Sequence, residues 1–520
     1  MLVKFVIVLL RTSLTHLFFM VCLGNVNLKR ARILARQVIT GAALQNVINN
    51  NFDMVFSSLT FLFFFLPASL ICYYAFAKRS VRNFILVVFS FIFYAWGEPI
   101  WVGLLAISAV CDYLNGLFIE HFRKRRAIAR FGVVASVAIN LGLLATFKYS
   151  DFIVETVNQL TGLSLALPGF LLPIGISFYT FQTISYTIDV YKGEVPAQRN
   201  FMNFVLFVVC FHQLVAGPIV RYAHIAHEIE HRVFSLQDFS AGVTRFIRGL
   251  FKKVFIANTA GELCVQFLGQ DPASASMAGE WLGLIAYSLQ IYFDFSGYSD
   301  MAIGLGWMFG FHYHENFKHP YTATSISDFW RRWHISLATF FKDYVYVPLG
   351  GNRRHMVRNL FIVWALTGIW HGANWNFVLW GLYFGVLIYL EKVVLLSILK
   401  PLPKVIQHAY ALFLIVLGWA IFYFTDIEKL LACFKILFGL SGLPFSNFDV
   451  SVAIWSNIFW LLLACALCLP LAARFDHWCS VTLRPLQLQC FVIAQNLLLL
   501  SVCVVLLVGQ TYNPFIYFRF

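Results

Sequence analysis

Long, weakly charged apolar runs recur along the chain, beginning near Val55, Asn83, Ile100, Phe131, Leu167, Phe201, Trp281, Leu360, Phe377, Ala409, Val452 and Phe491. A helix that crosses a bilayer needs roughly 20 mostly apolar residues, and some of these runs reach that length while others are short or broken by glycine. The pattern predicts an all-α, polytopic integral membrane protein with about 10 to 13 membrane-embedded helices. Between the runs, charge falls in short clusters. Residues 78–82 and 123–130 are basic and enclose two apolar segments that meet at Gly97-Glu98-Pro99. A hairpin of two helices places both clusters on the cytoplasmic side.

Two segments read as amphipathic rather than uniformly apolar. Residues 239–256 carry Arg245, Arg248, Lys252 and Lys253 among Phe246, Ile247, Leu250, Phe251 and Val254, the composition of a helix lying at a headgroup boundary. In residues 325–341, Ser325 and Asp328 form a helix cap. Trp330, Trp333, His334, Leu337, Phe340 and Phe341 then fall on one stripe at helical spacing. Arg331, Arg332, Ser336, Thr339 and Lys342 fall on the other side, facing water, lipid headgroups or a phosphate-bearing ligand.

Composition agrees with the pattern. Of 520 residues, 60% are hydrophobic and 12% charged, too apolar for a soluble chain of this size. The net charge of +14 is spread over short loop clusters, so membrane lipid and not nucleic acid is the expected surrounding. Most of the 11 cysteines sit in apolar runs, where a thiol behaves as a small hydrophobe, and Cys465-Ala-Leu-Cys468 is read the same way despite its redox spacing. The one compositional shift is at the start. Basic residues 29–36 would face the wrong side if the preceding apolar stretch inserted, so residues 1–53 are read as an extension before a single domain, 54–520.

The candidate chemistry begins with His371, in Gly368-Ile-Trp-His371-Gly-Ala-Asn374-Trp-Asn, between apolar stretches that are each too short to span. An ionisable ring at membrane depth must face protein or water and is a functional candidate by default. His334 interrupts an apolar stripe, for which a core histidine bonded to a carbonyl is the alternative. Asp294-Phe-Ser-Gly-Tyr298-Ser-Asp300 sets two carboxylates after an apolar run, where they must pair or line a wet cavity. His227-Glu228-Ile-Glu-His231 matches the H-E-x-x-H zinc pattern, but it is read as the polar face of a charged loop or interfacial turn, and no metal is expected.

Taken together, Asp294-FSGYSD-Met301, Glu315-NFKHPY, Ser327-DFWRRWHISL-Ala338, Leu349-GGNR-Arg354 and Trp370-HGAN-Trp375 resemble the membrane-bound O-acyltransferases. The likeness extends from Met54-VFSS through Leu172-PIGISFYTFQTISYTIDVY-Lys192 to Asn513-PFIYF. It implies a helical fold around a buried tunnel and transfer of an acyl group from acetyl-CoA or a similar thioester, with no bound cofactor. His371 matches the family's catalytic histidine, and His334 matches its second active-site position, often Asn in other branches. Trp330, Arg331, Arg332, Asn374, Asp294 and Asp300 are the further candidates for substrate binding. The resemblance also implies a bacterial inner-membrane, multi-pass location and periplasmic polysaccharide O-acetyltransferase components as partners, with an exported polysaccharide such as alginate as the indirect acceptor. Two alternatives stay open: another acceptor (teichoic acid, lipid or protein), or a polytopic transporter.

Overall fold

The computed structural model describes residues 54–215, 217–271, 274–509 and 516. The extension 1–53 lies outside them. Among the described residues there is no strand. Among the described residues, seven helices are long and apolar enough to cross a membrane: Arg79–Gly97, Val102–His121, Arg126–Thr161, Trp375–Leu399, Lys404–Tyr423, Phe448–Leu467 and Pro485–Gly509. The first two form the hairpin expected from the charge clusters. Shorter and more polar helices fill the interior, so a multi-pass membrane protein is built from fewer full spans than the apolar runs suggest. The run near Leu167 gives no helix of its own. Residues 162–174 are irregular, and the buried helix Ile176–Lys192 starts only after Pro173 and Gly175 (φ 77°).

The centre of the protein is a 33-residue helix, Met277–Phe309, buried along nearly all its length. Against it packs Leu236–Phe251, continued by the π-helical turn Lys252–Ala257. The contact depends on paired glycines. A Cβ on Gly242 would lie 2.6 Å from the Gly304 carbonyl oxygen, and one on Gly249 2.6 Å from that of Gly297. Only backbones without side chains approach so closely.

That packing corrects the expectation of an interfacial helix over 239–256, whose cations turn inward to acids on other helices. Lys253 meets Asp294 at 2.5 Å with both side chains buried, Arg245 and Lys252 meet Asp300 at 2.9 and 2.6 Å, and Arg248 meets Asp476 at 2.5 Å. The segment is amphipathic because its polar face is matched by carboxylates within the protein.

Two hydrophobic cores result. One gathers the N-terminal helices with Tyr298 to Phe309 and Trp370, and the other gathers Trp333, Trp364, Phe377, Trp380, Trp419 and Phe422 with the C-terminal helices. A second hairpin, Met356–His371 with Trp375–Leu390, is also joined through glycine: the Cβ position of Gly368 is 3.4 Å from the Gly381 Cα. Its turn lies where the two cores meet.

Candidate active site

His371 ends the first helix of that hairpin. Gly372 follows in extended backbone, and Asn374 caps the return helix by accepting from the Asn376 amide at 3.3 Å. The break in the sequence pattern is therefore a tight turn with an imidazole at its tip. The ring is 5% exposed. It packs edge-to-face on Trp370 from one core (5.0 Å between centroids) and on Trp380 and Phe422 from the other (4.9 and 5.3 Å). Its buried Nδ1 has no hydrogen-bond partner among the described residues.

His334 reaches the same place by a route the stripe did not predict. The single helix expected over 325–341 is two, Ile326–Trp330 and Ile335–Phe341. His334 stands at the break with φ 45° and ψ 54°, a left-handed conformation that costs a non-glycine residue roughly 1–3 kcal/mol and clusters at functional sites. The turn is held from outside. The Lys318 amide donates to the Arg332 carbonyl at 2.9 Å and the Ile335 amide to the Asn316 carbonyl at 3.0 Å. The Asn316 side-chain oxygen then accepts from the Ser336 amide (3.1 Å), the Ser336 hydroxyl (2.9 Å) and His334 Nδ1 (3.2 Å). With Nδ1 donating, Nε2 is the basic nitrogen, and it too is buried and unpartnered among the described residues.

Trp370 joins the two histidines. Its ring lies 5.7 Å from that of His334 on one side and 5.0 Å from that of His371 on the other. Three cavities approach this trio. One of about 420 Å³ is lined by Arg221, His224, His314, Lys318, Ile335 and Ser336, among others. Arg221 is held by Asp343 at 2.8 Å, and Glu315 also lines this cavity; burial pushes His224 down to about 4, so its ring adds no charge near neutral pH. On the His371 side, a cavity of about 660 Å³ is lined by Gln290, Asn374, Phe422, Asp426 and Lys429, and one of about 70 Å³ by Ser177, Trp370 and His371. Lys148 and Leu172 line both.

The remaining candidates are distributed unevenly. Asn374 lines the large cavity. Asp294 and Asp300 line none of the three; their carboxylates hold the cations of the neighbouring helix, and Asp294 also accepts from the Ile516 amide at 2.9 Å. Trp330 packs among Trp364, Trp380 and Phe384. Arg332 bonds Asp328 and Thr322, while Arg331 is exposed. The H-E-x-x-H run forms a helix, Tyr222–His231, rather than a loop. Its Glu228 is engaged by His312 at 2.8 Å, and among the described residues no group of three or more His, Cys, Asp or Glu could hold a metal ion. From the sequence, Ser336 stands only on the polar side of the stripe and Asn316 only within the Glu315-NFKHPY motif, neither as a site residue, and Lys148 is not named. Lys148 carried a usable signal, as the only lysine or arginine between Arg130 and Lys192.

Comparison with known proteins adds to this geometry. Residues 194–434 match the model of the MBOAT, membrane-bound O-acyltransferase family. The probable alginate O-acetylase AlgI of Pseudomonas putida is 38% identical over 90% of this chain and its own full length. A peptidoglycan O-acetyltransferase of Helicobacter pylori is 33% identical over 78% of this chain and 84% of its own. A teichoic acid D-alanyltransferase of Bacillus subtilis is 28% identical over 41% and 57%.

Proposed function

Because the chain belongs to the membrane-bound O-acyltransferase family and is a multi-pass membrane enzyme that transfers acyl groups to oxygen, we propose that it takes acetyl groups from cytoplasmic acetyl-CoA. It passes them across the inner membrane for O-acetylation of an exported polysaccharide such as alginate. A separate periplasmic transferase completes the delivery. The observation that carries this reading is the pair of buried histidines on either side of Trp370, with Ile335 next to His334 lining the 420 Å³ cavity and Gly372 next to His371 lining the 660 Å³ one.

The positive-inside rule sets the direction. Basic residues 123–130 support a cytoplasmic start for Arg126–Thr161, with Lys148, further along it, in the outer half. The helix Ile176–Lys192 runs back inward, and its Asp189 accepts from the Tyr344 hydroxyl at 2.7 Å, next to the Asp343 that holds Arg221. The cavity with Arg221 and Lys318 thus faces the cytoplasm, where cationic side chains suit the phosphates of CoA. The cavities with Lys148 face the periplasm.

His371 is the general base. Burial favours the neutral imidazole, which takes the proton from the acceptor hydroxyl as its oxygen attacks the thioester carbonyl. The carbon–sulfur bond breaks, and the thiolate leaves with a proton. His334, with Nδ1 fixed by Asn316, holds the thioester from the donor side, and Asn374 contacts the acceptor. The thioester supplies the driving force, so this chemistry requires no cofactor.

Deleting the gene should remove O-acetyl groups from the exported polymer and leave its synthesis largely intact. Complementation with His371→Ala should restore membrane insertion but not acetylation, a loss of roughly 10²-fold or more. Normal acetylation by an inserted His371→Ala protein would refute the assignment.

A further inference from the structure

Lys148 stands on the π-helical turn Ala145–Tyr149 inside a membrane-spanning helix, a kind of bulge common at functional sites. Its ammonium donates to the Trp370 carbonyl at 2.6 Å and to the Ser177 hydroxyl at 3.3 Å. The next residue, Tyr149, donates its hydroxyl to the Ile369 carbonyl at 2.6 Å. Both carbonyls belong to the last turn of the His371 helix; that of Ile369 also accepts from the Gly372 amide at 3.2 Å. A clamp on that end explains part of the arrangement and all of what Tyr149 does. It leaves part of Lys148 unexplained, because an ammonium has three N–H groups and the clamp uses two. Lys148 also lines both cavities on the His371 side.

The smaller cavity holds two further groups of the same kind. Ser177 lies in the first turn of Ile176–Lys192. The Ile176 amide donates to Pro173 at 3.2 Å and the Phe178 amide to Gly175 at 2.9 Å, while the Ser177 amide between them meets no acceptor among the described residues. A helix N-terminus favours negative charge beside it. His371 lines the same space with its buried Nδ1 unpartnered.

We infer that Lys148 and the Ser177 amide form the oxyanion site of the acyl transfer, beside the base. The inference rests on the acyltransferase reading above. As the acceptor oxygen bonds to the acyl carbon, the carbonyl π pair moves onto oxygen, and the two N–H donors stabilise that charge. When the pair returns, the carbon–sulfur bond breaks and the sulfur takes the proton that His371 removed from the acceptor. Donors placed for a developing oxyanion act on turnover rather than on donor binding.

The test uses membrane vesicles from a gene-deleted host carrying the full chain and its natural partners, with radiolabelled acetyl-CoA as donor and label in the exported polymer as readout. Lys148→Met should lower kcat about 10²-fold or more, with the KM for acetyl-CoA shifted less than about threefold. Tyr149→Phe, which loosens the clamp without touching the cavity, should stay within about threefold of wild type, and Lys148→Arg should fall between. Ser177→Pro removes the amide at a position where a helix tolerates proline, and should fall at least about tenfold below Ser177→Ala. Equal losses in Lys148→Met and Tyr149→Phe, or equal rates in Ser177→Pro and Ser177→Ala, would overturn the inference. If Lys148→Met does not insert, the Ser177 pair decides. His371→Ala in the same assay separates the two readings. An active His371→Ala defeats the acyltransferase mechanism itself, whereas an inactive one beside active Lys148→Met and Ser177→Pro defeats only the oxyanion site.

Discussion

Asn316→Ala tests whether the His334 turn is built for chemistry. The side-chain oxygen of Asn316 accepts three hydrogen bonds, from His334 Nδ1, the Ser336 amide and the Ser336 hydroxyl. Ser336 lines the 420 Å³ cavity, so water can replace Asn316 for its two donors at little cost. His334 is 1% exposed, and its Nδ1–H would keep only the long 3.4 Å contact to the Ser336 hydroxyl oxygen, a penalty of about 1–3 kcal/mol at most for a buried donor. The ring can relieve that penalty only by turning away from Trp370 or by adopting the other tautomer. The first moves Nε2 from its place, and the second leaves it there as a donor instead of a base. At about 1.4 kcal/mol per factor of ten, acetyl transfer should fall roughly 5- to 150-fold while insertion and expression persist. The assay is initial-rate acetyl transfer in the vesicles described above, for wild type, Asn316→Ala, His334→Ala and the double variant. If Asn316 acts through His334, the double variant should be no worse than His334→Ala, since residues in one network are not additive. Strictly additive losses, or a near-normal rate in Asn316→Ala beside an inactive His334→Ala, would show that Asn316 does not position the ring.

Three further outcomes follow from the packing. Gly304→Ala places a Cβ 2.6 Å from the Gly242 oxygen and 2.7 Å from the Phe246 nitrogen, so it should destabilise the protein by about 1–3 kcal/mol, read as a lower melting temperature in detergent. Asp294→Leu leaves the Lys253 charge buried and should cost about 3–5 kcal/mol, whereas adding Lys253→Met should recover much of that stability; a double variant no better than Asp294→Leu would mean that the pair does not act as a unit. His227→Ala with His231→Ala should acetylate normally, and loss of transfer in a correctly inserted protein would revive a metal role for the H-E-x-x-H helix.

Much of the fold class and one end of the site were legible in the sequence, because both are written locally. A ring of ionisable character between two apolar stretches identifies His371 without knowledge of its neighbours, and charge clusters at the ends of apolar runs mark the Arg79–Gly97 and Val102–His121 hairpin. What escaped was written elsewhere in the chain. The stripe from Trp330 to Phe341 keeps its apolar register across the break, since Trp333, Leu337, Phe340 and Phe341 are all buried. The interruption is imposed by Lys318 and Asn316 from a preceding turn. Residues 239–256 have the composition of an interfacial helix because their counter-charges, Asp294 and Asp300, lie on another helix. The same pairing explains why those two aspartates looked like site residues: each is a carboxylate in apolar surroundings, and distance along the chain hides its partner. Lys148 was legible as a lone cation in a long apolar run, but its aim at the end of the His371 helix was not.

The left-handed backbone at His334 restricts which residues can occupy that position before any reaction is considered. At φ 45° and ψ 54°, valine, isoleucine and threonine are sterically penalised, while histidine, asparagine, aspartate and glycine are the side chains that such a conformation accepts most readily. Of these, histidine and asparagine each present a neutral hydrogen-bond acceptor to the site, Nε2 in one and the side-chain oxygen in the other, and asparagine is the residue the resemblance associates with other branches. Steric permission and chemical usefulness therefore overlap in a two-letter alphabet. His334→Asn should keep the turn and part of the activity, whereas His334→Val, though nearer to the apolar stripe in character, should lose both.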